Sequence, residues 1–159
     1  MDAAELKKAA ARAIGKVAER RGRSRWFMSS GELTWVFELD RGAAWSRWTP
    51  MLGCDVRAWR DDEGVRRVSE CATQVEYAQL PLGVPDEALG SRFDDHRSYF
   101  TMVFDHTHDL VDDDVRIRAF EYCAEDMRDL ATRLSTLAAL REAVQEGTFS
   151  SGFVDRRLK

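Results

Sequence analysis

The sequence predicts an α+β fold: an N-terminal helix, an antiparallel β meander of about four to six strands, and C-terminal helices packed on the sheet. Apolar residues recur at helical spacing near the start of the chain and again after residue 115, whereas in residues 33–40 and 52–59 every second residue is apolar. Short turns join the predicted strands, and the helices lie at the two ends of the chain. This order favours α+β over a doubly wound α/β sheet.

The first helix is predicted for residues 3–21. Asp2 and Glu5 have the spacing of a capping box, and Gly22 is a natural residue to follow the helix. Between them the apolar positions have helical spacing: Leu6, Ala10, Ala13, Ile14 and Val17.

The predicted strands follow. Ser30 and Gly31 form a hairpin-like turn after residues 26–28. Alternation then predicts two strands whose apolar sides form one buried face: Leu33, Trp35, Phe37 and Leu39 in the first, and Leu52, Cys54 and Val56 in the second. Residues 61–64 read as a turn, residues 75–77 as strand, and residues 99–104 (YFTMVF) as a short strand rich in aromatic residues.

The remainder is predicted to be helical. Helical spacing extends from about Val115 to Leu134, although residues 115–120 also alternate, so the helix could instead start later, after a strand. Ser135 can cap a last helix that ends at Gly147. The tail from about residue 148 is expected to dock loosely or fray.

Length and composition suit one domain covering residues 1–159, since hydrophobic residues make up 44% of the chain. The scattered Cys54, Cys71 and Cys123 argue against a disulfide framework or zinc cage and are expected to be buried hydrophobes in a reducing compartment. No apolar segment has the length of a signal peptide core or a membrane span. We therefore expect a cytoplasmic protein that does not associate with a membrane.

Charge is unevenly distributed along the chain. Residues 61–130 contain 7 Lys and Arg against 18 Asp and Glu, a net charge of −11, whereas the whole chain carries −4. Such a balance does not indicate a nucleic-acid binder, but an acidic region can attract a basic partner.

Three stretches resemble a bacterial family known as domain of unknown function 4304. They are the hairpin at residues 25–39 (RWFMSSGELTWVFEL), the strand at 51–58 (MLGCDVRA) and the closing pair of helices at 130–147 (LATRLSTLAALREAVQEG). This chain is richer in Trp and Arg than the family, and its residues 61–90 match none of the family's pattern. The resemblance implies a small α+β fold with no established activity. Some small bacterial domains of this kind are suspected to be immunity or interaction proteins.

One cluster could carry metal chemistry. On an extended strand, His106 and His108 would point to the same side and could chelate Zn²⁺ or Fe²⁺ with Asp109. A third fixed ligand from another element is not evident, so a solvated polar loop is the preferred interpretation. We expect no metal and no other cofactor, because the sequence also lacks the glycine-rich nucleotide loops and the G-x-S-x-G nucleophile elbow.

The five tryptophans all fall within residues 26–59, interleaved with arginines. Trp35 alternates in phase with Phe37 and is expected in the core, whereas Trp45, Trp48 and Trp59 are the candidates for exposure. Exposed Trp and Arg are typical of protein-binding hot spots, and they can also stack single-stranded bases.

The leading hypothesis is therefore a non-enzymatic protein-binding domain of a bacterial cytoplasmic protein, in one version a toxin-neutralising immunity protein. Trp45, Trp48 and Trp59 would anchor the partner, and Asp112, Asp113 and Asp114 would attract a basic toxin surface. The alternatives are a small metal-dependent enzyme using His106 and His108, and a single-stranded nucleic-acid binder using the Trp/Arg-rich sheet.

Overall fold

A computed structural model describes residues 1–41, 48–80, 96–105, 107 and 111–159. Its helices are α1 (Ala3–Ile14), α2 (His96–Val103), α3 (Asp113–Arg133) and α4 (Leu137–Gln145). Its strands are β1 (Glu19–Arg20), β2 (Arg25–Ser30), β3 (Leu33–Arg41), β4 (Trp48–Val56), β5 (Thr73–Glu76) and β6 (Phe153–Val154). The six strands form one antiparallel sheet in sequence order, which confirms the predicted α+β class. No helix in these ranges is both long and apolar enough to cross a membrane.

The predicted register of the central strands is confirmed. Trp35 pairs with Cys54 and Phe37 with Leu52, so the apolar sides of β3 and β4 form one face. That face is buried in the main core beneath α1 and α3. All seven residues predicted to line it are at most 1% exposed: Leu33, Trp35, Phe37, Leu39, Leu52, Cys54 and Val56.

The opposite face of the sheet carries a second, smaller core that alternation did not predict. Phe27 and Val36 are buried there against Val65, Val68 and Cys71. The covering residues come from the connection between β4 and β5, in the part of the sequence for which no structure beyond a turn and a short strand was predicted. Val36 was expected on the polar side of β3 but is fully buried, because this connection folds over it.

The first helix is shorter than predicted. The capping box is confirmed: the Asp2 carboxylate accepts hydrogen bonds from the amides of Ala4 and Glu5, and the Glu5 side chain accepts one from the Asp2 amide. The helix ends at Ile14 with Gly15 as its cap, not at residue 21. Its predicted last turn is instead drawn into the sheet, where Glu19 and Arg20 form β1.

Residues 99–104 were predicted to be a strand, and this was wrong, because they belong to α2 and the turn that follows it. Tyr99, Phe100, Val103 and Phe104 are buried, a spacing that matches a helix. Phe100 makes an edge contact with Tyr77 and stacks on Phe104, and this packing overrides the β propensity of the segment.

The C-terminal helices largely follow the prediction. α3 begins at Asp113, so residues 115–120 are helical rather than a strand. Thr136, not Ser135, caps α4 by accepting from the Ala139 amide, while the Ser135 carbonyl accepts from the Glu32 amide at 2.8 Å. Gly147 follows α4 with a φ of +87°, as expected for a helix-terminating glycine.

The tail beyond residue 148 is packed against the rest of the chain. Phe149 and Leu158 are buried, and β6 pairs with β5 at the edge of the sheet. The helices α2 to α4 therefore lie between two neighbouring strands of the meander rather than after the last one.

Candidate functional site

The predicted tryptophan anchors have different environments. Trp48 is only 6% exposed, with the ammonium of Lys7 5.0 Å from its ring centre, so the prediction that it is an exposed anchor is wrong. Its position at the start of β4 turns the ring into the main core. Trp59 is half-buried and reaches the surface. Trp45 lies outside the described residues.

Asp112, Asp113 and Asp114 are exposed at the N-terminus of α3. The carboxylate of Asp113 is 3.0 Å from the N-terminal ammonium of Met1. Asp112 is the cap residue, yet its side chain makes no capping hydrogen bond. Carboxylates at this end also interact favourably with the helix dipole.

The acidic residues and Trp59 lie at opposite ends of the molecule. α3 has 21 residues, so it is about 31 Å long at 1.5 Å per residue. Near its C-terminal end the carbonyl of Ala131 accepts from the Ser30 hydroxyl, beside the β2–β3 turn. The Arg57 amide, two residues before Trp59, donates to Glu32 in the same turn. Asp112, Asp113 and Asp114 therefore do not form one continuous surface with Trp59, whereas Asp61 and Glu63 border the same groove as Trp59.

Trp59 belongs to a surface that the C-terminal tail completes. The guanidinium carbon of Arg157 lies 4.1 Å from the Trp59 ring centre. Arg157 also makes two hydrogen bonds to the Asp155 carboxylate, at 3.0 and 2.8 Å. These bonds lower the pKa of Asp155 to about 2, so the pair stays ionised until the pH falls toward that value. Arg157 is thus held in a fixed position over the ring.

Phe153 is 53% exposed and lines one groove together with Arg157. It is the exposed large apolar side chain among the residues that the structure describes. A groove of about 630 Å³ is lined by residues 153–157, and one of about 340 Å³ is bordered by Trp59 and Arg60. We call Trp59, Phe153, Arg156 and Arg157 the aromatic–arginine surface.

An ion pair between buried Asp55 and partly exposed Arg60 adjoins this surface. Asp55, 1% exposed on β4, binds the Arg60 guanidinium through both oxygens, at 2.7 and 3.1 Å. Asp55 also accepts from the Ala72 amide at 3.0 Å, and Arg60 donates to the Glu70 carbonyl. The hydrogen bonds that Arg60 donates to the Asp55 carboxylate raise the pKa of Arg60. The pair fixes the chain next to Trp59 and ties down the connection that covers the second core.

The three cysteines are not activated nucleophiles. Cys54, Cys71 and Cys123 are buried and free, as predicted, and burial raises the pKa of each thiol, so each stays protonated and unreactive. The Tyr77 hydroxyl donates to Asp126 close to Cys123, and burial raises the pKa of both groups. These groups contact one another beneath α3, and we interpret them as a structural polar contact in the core.

Metal binding was considered for His106, His108 and Asp109, and all three lie outside the described residues. Within the part of the chain that is described, no cluster of three His, Cys, Asp or Glu side chains could hold a metal ion. We expect the purified protein to contain no stoichiometric zinc or iron, which elemental analysis measures directly. One metal per chain that disappears in His106→Ala would contradict this and favour the enzyme hypothesis.

No family model, no curated protein and no solved structure matches this chain. The resemblance to domain of unknown function 4304 therefore stays a prediction. Two of the stretches that carry it are in contact in the fold. Ser30 and Glu32 of the hairpin turn hydrogen-bond to the carbonyls of Ala131 and Ser135 at the α3–α4 junction.

Sequence reasoning identified Trp59 but missed its neighbours. Phe153 and Arg157 lie in a tail that was expected to dock loosely or fray, and no local pattern links them to Trp59. The available signal was compositional, since Phe149 and Phe153 are unusual in a polar tail and suggest that it packs against the fold.

Proposed function

We propose that this chain is a non-enzymatic protein-binding domain that docks its partner through the aromatic–arginine surface. The observation that carries the proposal is Phe153, a large exposed apolar side chain that lines one groove with Arg157, the residue stacked on Trp59. Trp, Tyr and Arg dominate the binding energy of protein interfaces, and Phe, Trp and Arg are enriched there relative to the rest of the protein surface.

The surface is also preorganised, which favours binding. Ordering a free arginine at an interface costs about 0.5–1.5 kcal/mol in lost side-chain freedom. Arg157 is already held by the Asp155 carboxylate and the Trp59 ring, so little of that cost remains. The alternative of base stacking on the sheet has less support, because Trp26, Trp35 and Trp48 are buried.

Phe153→Ser tests the proposal. The variant should raise the dissociation constant for the physiological partner by about 30-fold or more, the effect of removing a hot-spot side chain. The partner would be recovered from the native host by affinity purification and its dissociation constant measured by calorimetry. Because Phe153 is largely exposed, the variant should keep the melting temperature of the wild type.

Glu142→Ser is the matched control, since Glu142 is exposed on α4 and does not belong to the aromatic–arginine surface. It should leave both affinity and melting temperature unchanged. A partner that binds Phe153→Ser and Trp59→Phe as tightly as the wild type would refute docking at this surface.

A second candidate is the neutralisation of a basic bacterial toxin in the cytoplasm. Asp112 and Asp114 favour it, because these exposed carboxylates make no ion pair with any residue that the structure describes. A negative end of this kind would speed the approach of a basic protein while adding little to contact energy.

The double variant Asp112→Asn/Asp114→Asn separates this candidate from the first. For a basic partner, it should lower the association rate constant several-fold at low salt and leave the dissociation rate nearly unchanged. Surface plasmon resonance at two salt concentrations measures both rates. An unchanged association rate would remove the acidic end from the binding mechanism.

A further inference from the structure

The strand β6 forms an edge of the sheet, with no other described strand on its outer side. The Asp155 amide donates to the Ala72 carbonyl at 2.8 Å, and Phe153 pairs with Gln74. In an antiparallel ladder, residues that bond the neighbouring strand alternate with residues whose amide and carbonyl point away from it. Phe153 and Asp155 therefore face β5, and the backbone of Val154 is directed to the open edge.

Val154 lines two grooves. The groove of about 630 Å³ extends along residues 153–157, and one of about 370 Å³ lies between the tail and α4, bordered by Gln145 and Phe149. A strand added at this edge would place alternate side chains toward the two sides of the sheet, one of which carries Phe153.

The tail that forms the edge carries three basic residues and one acidic residue between positions 153 and 159. Arg156 and Lys159 are exposed and make no ion pair with other described residues. The nearest acid in the tail, Asp155, is already occupied by Arg157. The exposed acids Asp61, Asp62 and Glu63 follow Trp59 in the chain. Asp61 and Glu63 border the groove of about 340 Å³ that Trp59 also lines, and Glu63 pairs with Arg66. The β6 side of the surface thus presents surplus positive charge.

We propose that the β6 edge binds an extended acidic segment of the partner protein as an added strand. This inference rests on the proposed protein-binding function. The segment pairs with the Val154 amide and carbonyl, places an apolar side chain on Phe153, and directs carboxylates to Arg156 and Lys159. A peptide is favoured over a nucleic acid because the edge offers backbone donor and acceptor in strand geometry. In addition, the Trp59 face on which a base would stack is covered by Arg157.

The test selects phage-displayed random peptides on the wild-type protein and measures the selected peptides by fluorescence anisotropy. Selected sequences should be enriched in Asp and Glu around an apolar residue. Arg156→Glu/Lys159→Glu should weaken their binding about tenfold or more, with a smaller effect at high salt. Val154→Pro removes the outward amide without removing a bond to β5 and should abolish binding, since proline is tolerated at an edge only where its N–H would face solvent.

Each variant is first checked for a wild-type melting temperature, and Glu142→Ser again serves as the control. Selection of neutral or basic peptides, or acidic peptides that bind both variants like the wild type, would overturn the inference. The inference would also be overturned if the wild type binds oligothymidylate, or dimerises in sedimentation experiments, and Phe153→Ser does not. If the native partner loses affinity for Phe153→Ser but not for the other two variants, the docking function stands and the acidic strand is wrong. If the partner binds all three variants as tightly as the wild type, both proposals fail.

Discussion

Phe37→Ala is expected to lower the free energy of unfolding by about 3–5 kcal/mol, the effect of removing a fully buried phenylalanine and leaving a cavity. Phe37 is 0% exposed in the middle of β3, where it pairs with Leu52 across the sheet. On the other side it faces Trp26, with ring centres 5.9 Å apart in an edge arrangement. Rigid strands surround the ring on both sides, so the structure has little freedom to collapse into the cavity.

Urea denaturation followed by circular dichroism measures this loss. Thr34→Ala is the matched control, because Thr34 lies on the opposite, partly exposed side of the same strand. It should change the free energy of unfolding by less than about 1 kcal/mol. A comparably small effect for Phe37→Ala would show that the register of β3 differs from the one described.

The central strands of the sheet could be predicted because the apolar pattern that defines each strand lies within that strand. Along β3 and β4 a two-residue period places apolar side chains on one face, and a register slip of one residue would expose them all. Gly31 adds a local signal, with a φ of +55° in the β2–β3 turn. A β-carbon at this position would lie 2.3 Å from the Ser135 carbonyl oxygen, so glycine also allows the hairpin to approach the α3–α4 junction.

The error at residues 99–104 shows where local information fails. Aromatic and β-branched residues favour a strand, and six residues are too few for a period to decide between strand and helix. The decision comes from Tyr77 and Phe120, distant in sequence, which contact Phe100 and Phe104 and require the buried side chains on one helical face. The first helix is shorter than predicted for a similar reason, because Glu19 and Arg20 pair with β2 instead of continuing the helix.

The candidate site was the least predictable part for the same reason. Trp59 and Arg157 are brought together because the tail returns to pair with β5 after the three described helices α2, α3 and α4. A sequence pattern reports neither that return nor the burial of Asp55 against Arg60. The exposure of Asp112, Asp113 and Asp114 was easier to anticipate, because consecutive carboxylates have no apolar environment that could accept them.

Arg60→Met should have the second large effect, lowering the free energy of unfolding by about 2–4 kcal/mol. Removing one partner leaves the other as an uncompensated buried charge, which destabilises by about 3–5 kcal/mol when both partners are buried. Here Asp55 is 1% exposed but the Arg60 side chain is 30% exposed, so solvent reduces the effect. Without the ion pair, the chain next to Trp59 should also be held less firmly. The affinity for the partner should therefore fall even though Arg60 need not contact the partner.

A double-mutant cycle with Asp55→Asn separates the charge from the packing. Asparagine is neutral and keeps an oxygen that can accept from the Ala72 amide, as Asp55 does at 3.0 Å. Asp55→Asn/Arg60→Met should therefore be more stable than Arg60→Met alone in chemical denaturation, because the stranded charge is gone. If instead the two substitutions add, Arg60 acts mainly through its bond to the Glu70 carbonyl and the packing of its stem. Restored stability without restored affinity would mean that the partner needs the Arg60 guanidinium itself.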